Sequence, residues 1–165
     1  MGDVSRNGAR LTILVSECII LIGLPGAGKT TFYQQNLAAT HRHISKDAWP
    51  NATGRDARQR RALEQALAEG ASVAVDNTNP TVAERAAIIA SARAHGARVV
   101  GYFFDVTTRE AVARNAARSG RQKVPNVAIF TVAKRLQPPT LAEGFDQLFR
   151  MTLAPDRTFN VSPIT

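Results

Sequence analysis

Cysteine, histidine and aromatic side chains are all scarce in this chain of 165 residues, which carries one cysteine, three histidines and only ten aromatic rings, 6% of the residues. A single thiol, Cys18, can close no internal disulfide. Set in an apolar run, it reads as a packed side chain. His41, His43 and His95 lack cysteine or carboxylate partners at ligand spacing, so no nitrogen–sulfur metal cage is legible. No apolar stretch reaches the roughly 20 residues that span a bilayer, and no membrane partner is expected. The run from Leu11 follows Arg6 and Arg10 and has the outline of a short signal peptide. Ser16 and Glu17 interrupt it, and no small-residue cleavage site lies beyond. Residues 1–10 therefore read as a loose tail and the protein as cytoplasmic. Carboxylates are few as well. Thirteen Asp and Glu face 21 Lys and Arg, a formal net charge of +8. That balance favours polyanionic partners and is also compatible with a plain solubility charge.

What the chain has in quantity is alternation. At 44% hydrophobic residues it holds enough apolar surface for one core, and residues 1–165 read as a single domain. Apolar runs at Cys18–Ile22, His43–Ser45, Ser72–Asp76, "ARVVGYFFD" and Gln147–Leu153 read as strands. Helix-period segments lie between them. One starts at Lys29. "TGRDARQRRALEQALAEG" sets Ala62, Leu63, Ala66 and Leu67 on one side and stops at Gly70. "PTVAERAAIIASARAHG" and "TTREAVARNAARSG" open with Thr81/Glu84 and Thr107/Glu110 at capping-box spacing. Val124–Leu136 reads as a last helix, and residues 156–165 as a second loose tail. Strands alternating with helices imply an α/β fold, a parallel sheet covered on both faces, which explains why "IILI" and "VVGYFF" are apolar throughout.

Gly23–Thr30 spells G-L-P-G-A-G-K-T, the full G-x-x-x-x-G-K-[ST] pattern, with a strand before it and a helix after. Gly23, Pro25, Gly26, Ala27 and Gly28, with Lys29, Thr30 and Thr31, form the expected ATP-binding loop. Its backbone N–H groups and the helix N-terminus cradle phosphate oxygens. Lys29 is placed for the β- and γ-phosphates and Thr30 for Mg²⁺. Asp76 ends the apolar strand "VAVD", where a carboxylate lies near the same Mg²⁺. A GTP switch needs an Asn-Lys-x-Asp element, and "SKD" at Ser45–Asp47 has the wrong spacing. A motor or AAA-type ATPase needs more chain for coupling and assembly. A small phosphotransferase remains. It requires a carboxylate at a strand end to orient a hydroxyl and take its proton, and Asp47, after the second strand, is the candidate. An aspartate is a weak base, which suits a loose transition state in which the hydroxyl proton leaves late. Arg114 and Arg118, four apart on one helix face, with Arg121 and Lys123 beyond, fit either a mobile lid over residues 114–125 or a solvated basic face.

In this order the pieces "GLPGAGKTT", "ISKD", "VAVDNTNPT", "RNAARSGRQKVP" and "PPTLAEGF" resemble the kinase domain of polynucleotide kinases, above all the kinase module of polynucleotide kinase–phosphatases. The resemblance runs from about Cys18 to Phe149. It implies a P-loop three-layer fold with a five-stranded parallel sheet, a helical lid, and the base-bearing strand at one edge. It implies transfer of the γ-phosphate of ATP, with Mg²⁺, to 5′-hydroxyl ends of DNA or RNA. Asp47 would then be the general base, Lys29 and Thr30 the phosphate and Mg²⁺ ligands, Asp76 the carboxylate beneath them, and Arg114 and Arg118 the clamp on the donor phosphates. Two departures stand out. Some family members carry an arginine three residues after the base to hold an acceptor phosphate, where this chain has Pro50. Lys46 or the run Arg55–Arg61 would have to serve instead, while Trp49 fits equally a stack on an acceptor base and a buried packing role. No phosphatase half lies within these residues. Two rival readings stay open, a kinase of a small-molecule hydroxyl and a non-kinase protein in which ATP gates nucleic-acid affinity.

Overall fold

The computed structural model describes residues 14–165, so the tail read at residues 1–10 and the apolar residues Leu11–Ile13 lie outside the description. The chain alternates as expected. The strands are β1 (Glu17–Gly23), β2 (Arg42–Ile44), β3 (Val73–Asp76), β4 (Arg98–Phe104), β5 (Gln147–Leu153) and β6 (Phe159–Pro163). The helices are α1 (Lys29–Asn36), α2 (Arg55–Ala68), α3 (Val82–Ala94), α4 (Thr108–Ala116) and α5 (Asn126–Arg135). Both expected capping boxes are made. The Thr81 and Thr107 hydroxyls accept from the Glu84 and Glu110 amides, and the glutamates reach back to the threonine amides.

The strands lie in the order β2-β3-β1-β4-β5-β6. Strands β1 to β5 are mutually parallel. Side-chain alternation divides β1 between two cores. Cys18, Ile20 and Ile22 pack with Leu63, Ala66 and Leu67 of α2 and Ile88, Ile89 and Ala92 of α3. Ile19 and Leu21 pack on the other face with Ala111 of α4, Ile129 of α5, and Phe32 and Tyr33 of α1. Every residue from Cys18 to Ile22 is buried, as a strand between two helical layers must be. Cys18 does pack as expected. It is fully buried, and that burial, with Glu17 beside it, pushes its thiol up to about 12.

Two expectations need correction. The sheet has six strands and is mixed, because β6 pairs antiparallel with β5 from Phe149↔Pro163 to Leu153↔Phe159. The segment 156–165 is therefore not a loose tail. A tight turn starts the return, with the Asp156 carboxylate accepting from the Thr158 amide and hydroxyl at 3.1 and 2.6 Å. The Ile164 amide then still bonds the Leu148 carbonyl at 2.7 Å. No strand signal is legible there because most of β6 is solvent-exposed, so the segment lacks the apolar density of the inner strands.

The stretches "DNTNP" and "PPTLAEGF" meet through a buried ion pair. Arg85 of α3, fully buried, donates from Nε and Nη2 to the Glu143 carboxylate at 2.7 and 3.1 Å. Its Nη1 donates to the Asn79 and Pro80 carbonyls at 3.0 and 3.1 Å. One guanidinium thus holds the loop after β3 to the segment before β5. Glu143→Ala would strand that charge, and we expect a stability loss of about 3–5 kcal/mol in urea unfolding. Replacing both partners with apolar residues should recover much of it.

Candidate active site

The phosphate loop bridges β1 and α1, and two of its glycines are required by what packs over them. Gly26 has φ +80, and a Cβ there would stand 2.8 Å from the Ala111 carbonyl. Gly28 has φ +99, and a Cβ there would stand 2.8 Å from the Arg114 guanidinium and 2.9 Å from the Phe159 ring. Lys29 is buried and turned back onto its own loop, donating to the Gly23 and Leu24 carbonyls at 2.9 and 2.7 Å. Burial pulls its ammonium down to about 8. Arg118 adds to that effect, and Asp76 and Asp47 oppose it.

Thr30 Oγ1 donates to Asp76 Oδ2 at 2.8 Å. The pair presents hard oxygen donors at the helix start. Mg²⁺ is commonly held by only one or two protein oxygens, with water and substrate phosphates completing its shell, so these residues fit such an ion. Among the described residues no cluster of three or more His, Cys, Asp or Glu side chains forms a protein-only cage.

Asp76 has a further partner that sequence spacing did not reveal. His43 Nε2 lies 2.8 Å from Asp76 Oδ2, and its imidazole lies tilted against the Tyr33 ring with centroids 4.3 Å apart. The two residues are 33 apart in sequence, and only the pairing of β2 with β3 brings them together. Three residues after β3 tie the neighbouring loops in place. Asn77 Oδ1 accepts from the Lys46 amide at 2.9 Å, and its Nδ2 donates to the buried Gln59 at 2.6 Å. The Thr78 carbonyl accepts from the Gly23 amide at 3.0 Å. Asn79 Nδ2 donates to the Leu21 carbonyl at 2.8 Å.

Asp47 sits in a short 3-10 turn, Lys46–Ala48, directly after the edge strand β2. Its amide donates to Ser45 Oγ, and its carboxylate, 94% exposed, lies 3.7 Å from Arg55 Nη2. Lys46 forms an ion pair with Asp56.

Arg114 donates from Nε to the Gly26 carbonyl at 3.0 Å and lies over the Phe159 ring at 5.7 Å. Burial, then the charges of Arg118 and Arg157, pushes its guanidinium below the usual arginine range. The loop carrying Arg118 and Arg121 is pinned at its base. The buried Asn115 side chain donates to the Val124 carbonyl at 2.7 Å and accepts from the Val124 amide at 3.0 Å.

A cleft of about 1900 Å³ unites these groups. Lys29, Thr30, Thr31, Asp47, Asp76, Arg114, Arg118 and Arg121 all line it, while Lys123 does not. Of the residues considered for an acceptor, Lys46, Arg55 and Arg60 line the cleft, and Trp49 does not. Sequence reasoning missed His43, Gln59 and Arg157 among its walls.

The lowered Lys29 value sets a sign. Unfolded, the lysine protonates near 10.5 and in the folded protein near 8, so between these values the folded state binds fewer protons and stability rises with pH. A phosphate ligand favours the charged form. Nucleotide binding without divalent metal should therefore take up a proton near pH 8 and weaken above it. Calorimetry in buffers of different ionisation enthalpy checks this.

The model of the AAA domain family matches residues 18–139, and the chain belongs to that family. A bifunctional polynucleotide phosphatase/kinase of Schizosaccharomyces pombe is 26% identical over 133 residues, covering 78% of this chain. The chain spans only 32% of that relative's length. Two solved structures share the fold. A fungal RNA kinase superposes with a TM-score of 0.63 at 19% identity, covering 85% of this chain and 77% of its own. A gluconokinase from Sinorhizobium meliloti 1021 superposes with a TM-score of 0.60 at 20% identity, covering 84% and 83%. The fold is thus that of P-loop kinases, shared by an RNA kinase and a gluconokinase alike. No helix among the described residues is long and apolar enough to cross a membrane.

Proposed function

We propose, from that family membership and the cleft within it, that this chain is a kinase transferring the γ-phosphate of ATP to the 5′-hydroxyl end of DNA or RNA. The observation that carries the reading is the Asp47 carboxylate, exposed in the same cleft as the phosphate loop. The cleft volume supports it. At about 1900 Å³ the cleft exceeds the roughly 300–1000 Å³ of a single small-ligand site and leaves room for an acceptor beside the nucleotide. The polynucleotide acceptor is favoured by the likeness to the yeast phosphatase/kinase and by Lys46, Arg55 and Arg60 on the cleft wall, where backbone phosphates would meet cations.

On this reading the loop amides, Lys29 and the arginines Arg114 and Arg118 hold the donor phosphates. The 5′-hydroxyl oxygen bonds to the γ-phosphorus as the bond to the β–γ bridging oxygen breaks and ADP leaves. Asp47 orients the hydroxyl and accepts its proton. Mg²⁺ held near Thr30 and Asp76 would supply charge to the transferring phosphoryl group. His43 and Asn77 do not touch the reacting atoms. They hold Asp76 and the Asp47 turn in register.

A small hydroxylated acceptor is the second reading, favoured by Pro50 in place of an acceptor-binding arginine. Labelled γ-phosphate transfer to 5′-hydroxyl oligonucleotides, DNA and RNA, set beside a panel of sugars and polyols, separates the two. We expect oligonucleotide labelling, with Asp47→Asn lowering kcat by about 10²–10⁴-fold. Labelling of the small acceptors alone would overturn the polynucleotide reading. Full activity of Asp47→Asn would remove Asp47 from the reaction.

A further inference from the structure

The β5–β6 turn carries an arginine in a conformation that arginine disfavours. The Ala154 amide bonds the Thr158 carbonyl at 2.8 Å, and the Arg157 amide bonds the Ala154 carbonyl at 2.9 Å. Hairpin turns of this kind place a residue in the left-handed region just before the returning strand, and glycine is its usual occupant. Here Arg157 holds it, at φ +69. The other non-glycine residue at positive φ among those described is Asn79, a residue type that tolerates that region. Residues held in such sparsely populated conformations cluster at active sites and ligand clamps.

The side chain has a place to act. Arg157 lines the main cleft together with Leu153, Ala154 and Pro155 of the same hairpin. Two residues on, the Phe159 ring covers Gly28 of the phosphate loop and lies under the Arg114 guanidinium. Two strand residues span only about 7 Å, so the turn stands over the donor side of the cleft. Arg114, Arg118 and Arg157 all line this cleft. Among the described residues none of the three forms an ion pair. Three guanidiniums sharing one wall without a carboxylate partner form an arrangement that a polyanion would relieve.

We propose that Arg157 is a donor-nucleotide ligand, presented by the β5–β6 turn to the polyphosphate of a nucleoside triphosphate as a third cation beside Arg114 and Arg118. The inference rests on the nucleotide-kinase reading of the cleft and is independent of which acceptor is used. It also gives the C-terminal hairpin a role. Phe159 fixes Arg114 over the loop, and Arg157 extends the same cationic wall.

The test measures ATP affinity of the full chain by calorimetry, with the melting temperature, for wild type, Arg157→Gly, Arg157→Asn and Arg157→Lys. Glycine and asparagine both accept the left-handed backbone and remove the cation, so their melting temperatures should not fall. Both should bind ATP about tenfold more weakly, the loss expected for one charge-assisted contact. KM for ATP should rise by a similar factor, with kcat within about twofold of wild type, the pattern of lost uniform binding. Lysine should retain part of the affinity. Wild-type affinity in either the glycine or the asparagine variant would overturn the proposal and leave Arg157 as a turn residue only. A wild type that binds no ATP would overturn the nucleotide reading together with it. Tight ATP binding without transfer to any oligonucleotide would count against the polynucleotide acceptor alone.

Discussion

The short loop after β3 has to hold two other loops at once, and the site depends on that constraint. On one side the Thr78 carbonyl and the Asn79 side chain grip the start of the phosphate loop through Gly23 and Leu21. On the other, Asn77 grips the Lys46 amide, one residue from Asp47. Asp76, between them, is bonded by Thr30 from α1 and by His43 from β2. Few residues in "DNTNP" could change without loosening one of these ties. Buried polar groups that are all satisfied make a rigid junction, and half-satisfied ones make a costly one. Arg85 closes the network from beneath by capping the Asn79 and Pro80 carbonyls.

Around this junction the charges are distributed unevenly. Carboxylates that face the cleft near the loop after β3 are engaged by neighbours. Asp76 is bonded twice, and Asp47 lies within ion-pair reach of Arg55. The arginines of α4, its following loop and the β5–β6 turn have no such partners among the described residues. Lys29, held on loop carbonyls and depressed by burial, belongs to the same pattern. A site short of negative charge is poised for a ligand that brings it, and phosphates supply both charge and acceptor oxygens.

Much of this is legible in the residues alone. The phosphate loop is contiguous, so its pattern and its flanking strand and helix could be read directly. Both capping boxes and the exact span of β5 followed from local rules. Asp47 and Asp76 were placed by the rule that parallel strands deliver their ends to one edge of the sheet. The misses share a cause. The last strand, β6, is exposed along most of its length and so carries no inner-strand signal. His43 looked unpartnered because its carboxylate lies 33 residues away.

By itself the sequence determined the α/β alternation, the glycine loop Gly23–Thr30 between a strand and a helix, and the capped starts of α3 and α4. Each of these is decided by interactions within a few residues of chain, through periodicity, caps and backbone conformation. Only the tertiary structure decided which distant groups meet. Thr30 and Asp76 are separated by 46 residues, Arg85 and Glu143 by 58, and Arg114 and Gly26 by 88. Those meetings depend on strand order and register, and a shift of one residue in a strand turns each side chain to the opposite face. The wall that Phe159 and Arg157 add to the cleft belongs to this second kind, because it exists only where β6 folds back along β5.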